Sequence, residues 1–462
     1  MLPFRMSIRF SQTICMKKGP VMFSTVLTFD PKNMKRAKLL ILAFAAFVSY
    51  NVTAQTYEGK YLEANYDESK VPEYKLPDVL SSFDGKSINS PEDWEKIRRP
   101  EIIAFFAENL FGKVPSPSSP IKKSFKLISE DRTIFNGLCT RKDVLITFEN
   151  ESGKISMPLV LFVPSKSKDK VPVILLANGG DIKQKNLKLD SPQSYGKTSN
   201  GIPLHQLMSR GIGIATVDYK AFGIDRGNME GKVSGGIAKL YFKDGQEFTK
   251  ENEWGMIAIW AYALRAGMDY LETDKDVQEN QVATLGCSIG GKVALWAAVT
   301  DTRFGMTLLA TAGHGGDAIW RREYGETLQN MCDYLPTWIC RNANKYAQNV
   351  HALPVDQHSL LATIAPRPFY VSNAQHDLWA DQKGEWIGTY NAAPSYKLYN
   401  KDVAFTSEIQ PAINQPIIKS TIGYHVRSGV HGLELYDWEQ YMKFIEYHFL
   451  NIEPRSVEEV YK

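Results

Sequence analysis

Ser288 stands in a pattern that is typical of an activated serine nucleophile. Residues 286–290 read Gly-Cys-Ser-Ile-Gly, which fits G-x-S-x-G. Glycines at both ends allow a strand to turn sharply into a helix and to present the central side chain at the tip. An apolar strand-like run, QVATLG, precedes the pattern, and an apolar helix-like run, SIGGKVALWAAV, follows it. This setting predicts a nucleophile elbow with Ser288 at its tip.

A serine hydroxyl becomes a good nucleophile when a histidine accepts its proton and a carboxylate orients that histidine. After a serine on such an elbow, the acid is expected first along the chain and the histidine last. We favour His431 as the base because Gly429 and Gly432 flank it and allow its turn to carry the ring to the serine. His425, in the extended run Tyr-His-Val-Arg, is the alternative and is expected to be packed.

The acid is expected after the strand RPFYVSN, in the segment AQHDLWAD. Asp377 is closer to the end of this strand than Asp381, so we favour Asp377 and keep Asp381 as the alternative. Either aspartate would also suit the N-cap of a helix that begins near residue 382.

An acyl-transfer site also needs hydrogen-bond donors for the oxyanion. The backbone N–H of Ile289, at the start of the elbow helix, is one predicted donor. The glycine pair Gly179-Gly180, in LLANGGDI after a predicted strand, is expected to supply the second, which we assign to Gly180. These residues together describe a serine ester hydrolase.

Strands and helices alternate from about residue 130, which predicts an α/β fold with a mostly parallel central sheet, helices on both faces and three layers. Nearly continuous apolar runs indicate strands that are buried on both faces. The predicted helices are 253–274, 288–299 and 437–450. The predicted strands are 143–148 and 158–164, as an antiparallel pair, and then 172–177, 211–219, 281–286, 305–312, 367–373 and 395–400.

The N-terminus has the features of an export signal. Residues 34–54 combine a basic start, an apolar core too short to span a membrane, and the small-residue site Val-Thr-Ala before Gln55. Residues 1–33 are expected to be a spurious extension. Residues 55–130 are expected to form an arm and a helix (from Ser90 to Pro115) packed on a catalytic domain at 131–462.

Composition excludes several classes of function. Residues 1–54 carry eight Lys or Arg and one acid, so their removal changes the net charge from +3 to −4, without a basic tract for nucleic acid. The residue immediately after the predicted cleavage site is Gln55 and not a cysteine that could carry a lipid, so no membrane anchor is expected. Histidine and cysteine spacing indicates no metal site, and the predicted chemistry needs no cofactor. Cys332 and Cys340 are one possible disulfide.

Four longer stretches give the chain a resemblance to a known family. GCSIGGKVALWAA, GGDAIWRREYGET, the segment 353–386 and the segment 422–449 resemble bacterial carbohydrate esterase family 15, whose members are glucuronoyl esterases of the α/β-hydrolase fold. The resemblance covers most of residues 75–450. It implies hydrolysis of 4-O-methyl-glucuronate esters, as in links between xylan and lignin, with Ser288, His431 and Asp377 as the catalytic residues.

The same resemblance implies that Lys292 contacts sugar hydroxyls and that Trp379 lines the uronate pocket. The chain departs from the family where an arginine is expected, because Ile289 stands there. It also has Thr311 where some members carry an acid, so Asp377 must serve alone. His314, in the same loop, is hypothesised to replace part of the missing donor.

Uronate ester hydrolysis is the broader expectation. The alternatives are a pectin methylesterase, an acetyl xylan esterase on the same fold, or a decayed esterase that binds carbohydrate, for which Ile289 is the best support. The apparently intact Ser288, Asp377 and His431 argue against decay. The protein is expected to be a periplasmic or secreted monomer whose partner is plant cell-wall polysaccharide.

Overall fold

A sheet of nine strands runs through the part of the chain that the structure, a computed structural model, describes: residues 64–117, 119–178, 201–223, 236–242 and 250–461. The strands are β1 Lys122–Asp131, β2 Cys139–Asn150, β3 Gly153–Pro164, β4 Val171–Asn178, β5 Gly213–Asp218, β6 Val277–Cys287, β7 Met306–Ala310, β8 Phe369–Ala374 and β9 Ile422–Arg427.

Most of this sheet is parallel. Its order is β1-β2-β3-β5-β4-β6-β7-β8-β9 within the described residues. β1, β2 and β3 pair antiparallel, as do β3 and β5, whereas all pairs from β5 to β9 are parallel. The carboxyl ends of β6, β7, β8 and β9 therefore lie along one edge of the sheet, where α/β proteins place their working groups.

Helices cover both faces of the sheet. They are α1 Pro91–Asp93, α2 Arg99–Phe106, α3 Ile134–Gly137, α4 Leu204–Ser209, α5 Tyr219–Phe222, α6 Met256–Leu271, α7 Ile289–Thr300, α8 Leu328–Tyr334, α9 Gln357–Ala362, α10 Gln382–Leu398, α11 Leu435–His448 and α12 Val457–Tyr461. Apolar side chains of α4 and α11 pack in one core, and those of α2, α6, α7, α9 and α10 pack in the other.

Successive residues of the central strands enter opposite cores. Ile174 and Leu175 of β4 are both fully buried, but they belong to different cores, and the same holds for Leu308 and Leu309 of β7. This arrangement explains why these strands are continuous apolar runs in the sequence. The predicted mostly parallel sheet with helices on both faces is confirmed.

Three assignments of secondary structure are corrected. The run SYKLYN, predicted as a strand, lies at the carboxyl end of α10, which continues through Pro394 to Leu398. β1 was not predicted, because most of its residues are charged or polar and it lies at the exposed edge of the sheet. β9 was not predicted either; it is the last strand of the described residues, and His425, expected between the last strand and the last helix, lies within it.

The helical segment near the N-terminus is part of the main core. Trp94, Ile102 and Phe106 are fully buried and pack in the same core as α6 and α7. Phe111, which follows α2, stacks on Phe106 and lies 4.5 Å from the ring of Trp296 in α7. Residues from Ala64 to Lys462 form one compact unit.

Replacement of Phe106 with alanine is expected to lower the free energy of unfolding by about 3–5 kcal/mol, because it opens a cavity in this core. Urea unfolding followed by circular dichroism measures the change. Phe83→Ala is the comparison variant, since Phe83 is 45% exposed and its ring contacts Phe105 and Arg98, so its loss should cost about 1 kcal/mol. Equal losses in both variants would contradict the assignment of this segment to the core.

The four cysteines of the described residues are all free, so the disulfide considered between Cys332 and Cys340 is not formed. The thiol of Cys340 instead points to the carbonyl oxygen of Glu108, at 3.6 Å. No helix in the described ranges is long and apolar enough to cross a membrane. The predicted signal at 34–54, the segment 1–33 and the start of the arm at 55–63 lie outside the described residues.

Candidate active site

Ser288 is the single residue between the end of β6 and the start of α7, and it has a φ of 56° and a ψ of −125°. This backbone conformation is rare for a residue other than glycine. The glycines around it are required by close approach: a Cβ on Gly286 would overlap the carbonyl oxygen of Gly290, and one on Gly291 would lie 2.7 Å from the Cβ of Ala312. The sequence pattern therefore produces a sharp turn that holds Ser288 half-buried at the edge of the sheet.

Asp377 and His431 meet in a short hydrogen bond. Asp377 follows β8, His431 follows β9, and the Nδ1 atom of His431 lies 2.6 Å from the Oδ2 atom of Asp377. The Asp377 side chain is buried, whereas 26% of the His431 side chain is exposed. A carboxylate on Nδ1 fixes the tautomer in which Nε2 is free to accept a proton.

Ser288, Asp377 and His431, which the sequence predicts as a catalytic unit, thus lie at the carboxyl ends of β6, β8 and β9. The parallel sheet brings these three strand ends to one edge. Their order along the chain is serine, acid, histidine, as expected for an elbow serine. Chemically, this arrangement suits the activation of a serine hydroxyl for attack on a carbonyl carbon.

The alternative acid and base have other partners. Asp381 caps α10 by accepting from the Gly384 N–H at 3.0 Å, and it pairs with Nε of Arg322 at 2.8 Å. Burial raises the pKa of Asp381 to about 6, although Arg322 opposes the rise. Both ring nitrogens of His425 are engaged, one by Tyr370 and the other by Asp437, so neither is free for a serine.

A buried ion pair lies one helical turn beyond Ser288. Lys292 donates to the carbonyl oxygen of Ala312 at 2.6 Å, and its ammonium is 3.5 Å from Glu326. Burial raises the pKa of Glu326, and the positive charge of Lys292 opposes this rise. The N–H of Glu326 donates to the carbonyl oxygen of Trp379, which is half-buried and two residues from Asp377.

A family model described as glucuronyl esterase of fungi matches residues 146–400, which is more than half of the chain. A carbohydrate esterase named MZ0003, from an unknown prokaryotic organism, is 34% identical over 83% of this chain and 92% of its own length. The chain belongs to carbohydrate esterase family 15. It is therefore classed as a carboxylic ester hydrolase.

Two solved structures resemble this family 15 esterase along most of its length. A glucuronoyl esterase from Solibacter usitatus is 34% identical, with a TM-score of 0.72 over 82% of this chain and all of that one. A promiscuous family 15 esterase from a marine bacterial metagenome is 33% identical, with a TM-score of 0.71 over 84% of this chain and all of that one. The α/β-hydrolase fold predicted from the sequence is confirmed.

The hypothesis that His314 binds substrate and replaces part of the missing donor is wrong in this structure. Its ring is fully buried, stacks on Trp320 with 5.2 Å between ring centres, and has its Nε2 4.0 Å from Asp381. Burial, with the charges of Lys292 and Arg322, lowers its pKa to about 3, so the ring is neutral at pH 7. His314 lies in a tight turn, closed by the Gly316 N–H donating to the carbonyl oxygen of Gly313 at 2.9 Å, and its side chain is directed into the interior of the family 15 esterase.

The two departures from the family pattern are visible in the site. Thr311 holds the position where some members carry an acid, and its hydroxyl lies 3.5 Å from the thiol of Cys287. Ile289 is the first residue of α7, where a backbone N–H has no acceptor within its own helix. Gly179 and Gly180, predicted to supply the second oxyanion donor, lie outside the described residues.

Glu326 was not predicted as a site residue. It lies within GGDAIWRREYGET, one of the stretches that carry the family resemblance, but no local motif distinguishes it from neighbouring acids. In the described residues of this esterase, no group of histidine, cysteine, aspartate and glutamate has the arrangement of a metal site.

The start of the described chain supports the loop that carries Glu326. The carbonyl oxygen of Asn65 accepts from the Gly325 N–H at 2.8 Å. Glu68 pairs with Arg322 at 2.6 Å and with Lys383 at 2.8 Å. Residues 65–68 of the arm are thus attached to the segment around Glu326 and to α10 by one backbone hydrogen bond and by the ion pairs of Glu68.

Proposed function

We propose that this chain is a serine esterase that hydrolyses glucuronoyl esters, with Ser288 as nucleophile, His431 as general base and Asp377 as the acid that orients it. The observation that carries the proposal is the 2.6 Å contact between His431 and Asp377, at the sheet edge where Ser288 is presented on its turn. The solved relative from Solibacter usitatus, named a glucuronoyl esterase, supports the choice of ester.

The reaction proceeds through an acyl-enzyme. Ser288 Oγ attacks the ester carbonyl carbon while Nε2 of His431 takes its proton. The backbone N–H of Ile289 donates to the developing oxyanion, and we assign the second donor to Gly180. His431 then returns the proton to the alkoxide, the alcohol leaves, and water repeats the sequence to release the uronic acid.

The buried pair of Lys292 and Glu326 suits a sugar ring with vicinal hydroxyls. An ammonium has three donors; one of those of Lys292 is used by Ala312 and a second faces Glu326, so one remains for a hydroxyl oxygen. The Glu326 carboxylate accepts hydrogen bonds from hydroxyls. We infer that the ring of Trp379 lies beside this pair, since its carbonyl oxygen accepts from the Glu326 N–H. A sugar on the acyl side of the ester, as in a uronate, would use these groups, whereas an acetyl group in that position has no hydroxyls to bind.

Replacement of Glu326 with glutamine is expected to raise KM for a uronate ester by about 10- to 100-fold, because a charge-assisted hydrogen bond to the sugar is lost and Lys292 loses its counter-charge. Initial-rate kinetics measure the change. Glu323→Gln in the same loop is the matched control, since the Glu323 side chain is 47% exposed and contacts His351. An unchanged KM in the Glu326 variant would exclude it from the sugar site.

Replacement of Ile289 with arginine is expected to raise kcat, by up to about 10²-fold, if a charged donor near the oxyanion is what this chain lacks. The measurement is kcat for the uronate ester that the native protein prefers, with Ile289→Lys as a control for charge alone. A fall in kcat would mean that the isoleucine shapes the site for its own substrate.

A panel of esters tests the proposed function. Purified residues 55–462 are incubated with benzyl glucuronate, methyl-esterified galacturonan and acetylated xylan, with Ser288→Ala as the control protein. Acid release from benzyl glucuronate alone supports the proposal. Release from galacturonan alone assigns a pectin methylesterase, release from acetylated xylan alone an acetyl esterase, and no release from any of them a decayed site that binds carbohydrate.

We also propose that the protein is exported, to the periplasm or beyond, as a monomer that acts on plant cell-wall polysaccharide. The predicted signal at residues 34–54 supports export. N-terminal sequencing of the protein recovered outside the cytoplasm should begin at Gln55, and light scattering should give a mass near that of one chain.

A further inference from the structure

The guanidinium of Arg427 spans the loop that carries His431. Arg427 is the last residue of β9 and is 1% exposed. Its Nη1 donates to the carbonyl oxygen of Ser428 at 3.1 Å, and its Nη2 donates to that of Gly432 at 2.7 Å. One planar group thus ties together both ends of the short segment in which His431 lies.

Asp437, near the start of α11, holds the guanidinium in place. Its Oδ2 accepts from Nε of Arg427 at 2.9 Å and from the backbone N–H of Glu434 at 2.7 Å, while its Oδ1 contacts Nε2 of His425 at 2.8 Å. Arg427, Asp437 and His425 are all buried. Because the carboxylate is fully engaged, the guanidinium has a fixed position and orientation.

The segment that carries Asp377 is attached to the same loop. The N–H of Gln375 donates to the carbonyl oxygen of Arg427 at 2.9 Å, and that of His376 donates to Gly429 at 3.0 Å. The loop therefore determines where both the acid and the base lie.

The loop itself has little intrinsic stiffness. Gly429 and Gly432 flank His431 with φ values of 106° and 138°, in a region that favours glycine. His431 is partly exposed, and its side chain contacts Asp377 through Nδ1. Without a tie across the loop, the ring of His431 would sample several positions relative to Ser288.

We infer that Arg427, anchored by Asp437, is a positioning residue for the reaction, because it fixes the loop that brings His431 and Asp377 to Ser288. The inference rests on the proposed function for the roles of these three residues. A lysine cannot replace this arginine, since a single ammonium does not have the planar fork that reaches a carboxylate and two carbonyl oxygens together.

The test compares Arg427→Lys with Arg210→Lys. Arg210, which is far from Arg427 in the sequence, is the matched control. It is also fully buried, pairs with Glu446 at 2.8 Å and donates to the carbonyl oxygen of Arg455 at 3.0 Å. Arg427→Lys is expected to lower kcat by about 10- to 100-fold with KM nearly unchanged. Arg427→Lys and Arg210→Lys are expected to lower Tm by similar amounts, but Arg210→Lys should leave kcat unchanged.

A second measurement separates this inference from the proposed substrate. A fluorophosphonate phosphonylates an activated serine with loss of fluoride, whatever ester the enzyme prefers. If the native protein reacts with this probe but hydrolyses no uronate ester, the proposed substrate fails, and slower labelling of Arg427→Lys still supports the positioning role.

Three results would overturn the inference. The first is a folded Arg427→Lys variant whose kcat and labelling rate equal those of the native protein. The second is a loss of kcat in Arg210→Lys as large as that in Arg427→Lys. The third is that neither Arg427→Lys nor Asp437→Asn folds under conditions in which Arg210→Lys folds. In the last case Arg427 serves folding and not the position of His431.

Discussion

Replacing Ser288 with alanine is expected to lower kcat/KM for a uronate ester by about 10⁶-fold, the size of loss seen when the nucleophile of a serine hydrolase is removed. The acyl-enzyme can no longer form, while the pair of Lys292 and Glu326 is untouched. The affinity for the uronic acid product should therefore stay within about twofold of that of the native protein. Ester hydrolysis followed at pH-stat and product binding by calorimetry give the two quantities.

The neighbouring thiol supplies the control for this variant. Burial raises the pKa of Cys287 to about 11, so at neutral pH it is a thiol and not the thiolate that would be needed for attack. Cys287→Ala should keep activity within a few-fold. If Ser288→Ala kept native activity, or if Cys287→Ala lost it, the assignment of the nucleophile would be wrong.

Replacing Asp377 with asparagine is expected to lower kcat by about 10⁴-fold. The amide keeps the volume of the carboxylate, but its NH₂ group facing Nδ1 of His431 would favour the tautomer in which Nε2 carries a proton. That nitrogen could then no longer accept the proton of Ser288. Because sugar contacts are unaffected, KM should change little, and steady-state kinetics with a glucuronate ester separate the two effects.

Asp381→Asn distinguishes the two aspartates of the segment AQHDLWAD. Asparagine is also a good N-cap, so this variant chiefly loses the buried pair with Arg322, at an expected cost of about 3–5 kcal/mol in the free energy of unfolding. It should keep most of its activity at a temperature where it is folded. The opposite pattern, with activity lost in Asp381→Asn and kept in Asp377→Asn, would exchange the assignments.

Local sequence was enough to predict the sharp turn at Ser288 and most of the sheet. Gly286, Ser288 and Gly290 form their turn from contacts within a few residues, so the pattern alone indicates it. The strands β4 and β7 could also be predicted locally, because burial on both faces of the sheet makes each of them a continuous apolar run. The partnership of His431 with Asp377 was predicted from the expected chain order and from the residues that flank each of them.

Features that depend on distant contacts were missed or misjudged. The strand predicted at 395–400 has apolar and polar residues in alternation, but packing of α10 on the core extends the helix through this run. His314 looks accessible in a glycine-rich loop, yet the stack on Trp320 buries it. Glu326 meets Lys292 only through the fold, since the two lie in separate segments of the chain. The partners of Arg427 are near it in the sequence, but no local motif indicates that its side chain spans the loop after β9.

The contacts of the arm have a practical consequence for handling the protein. Asn65 and Glu68 support the loop of Glu326, so an expression clone that starts after Lys70 would lose these contacts. Such a clone would still contain the nine described strands of the sheet and the helices that cover its two faces. Affinity tags and fusion partners for purification or immobilisation therefore belong after α12, at the carboxyl terminus, and not next to Asn65.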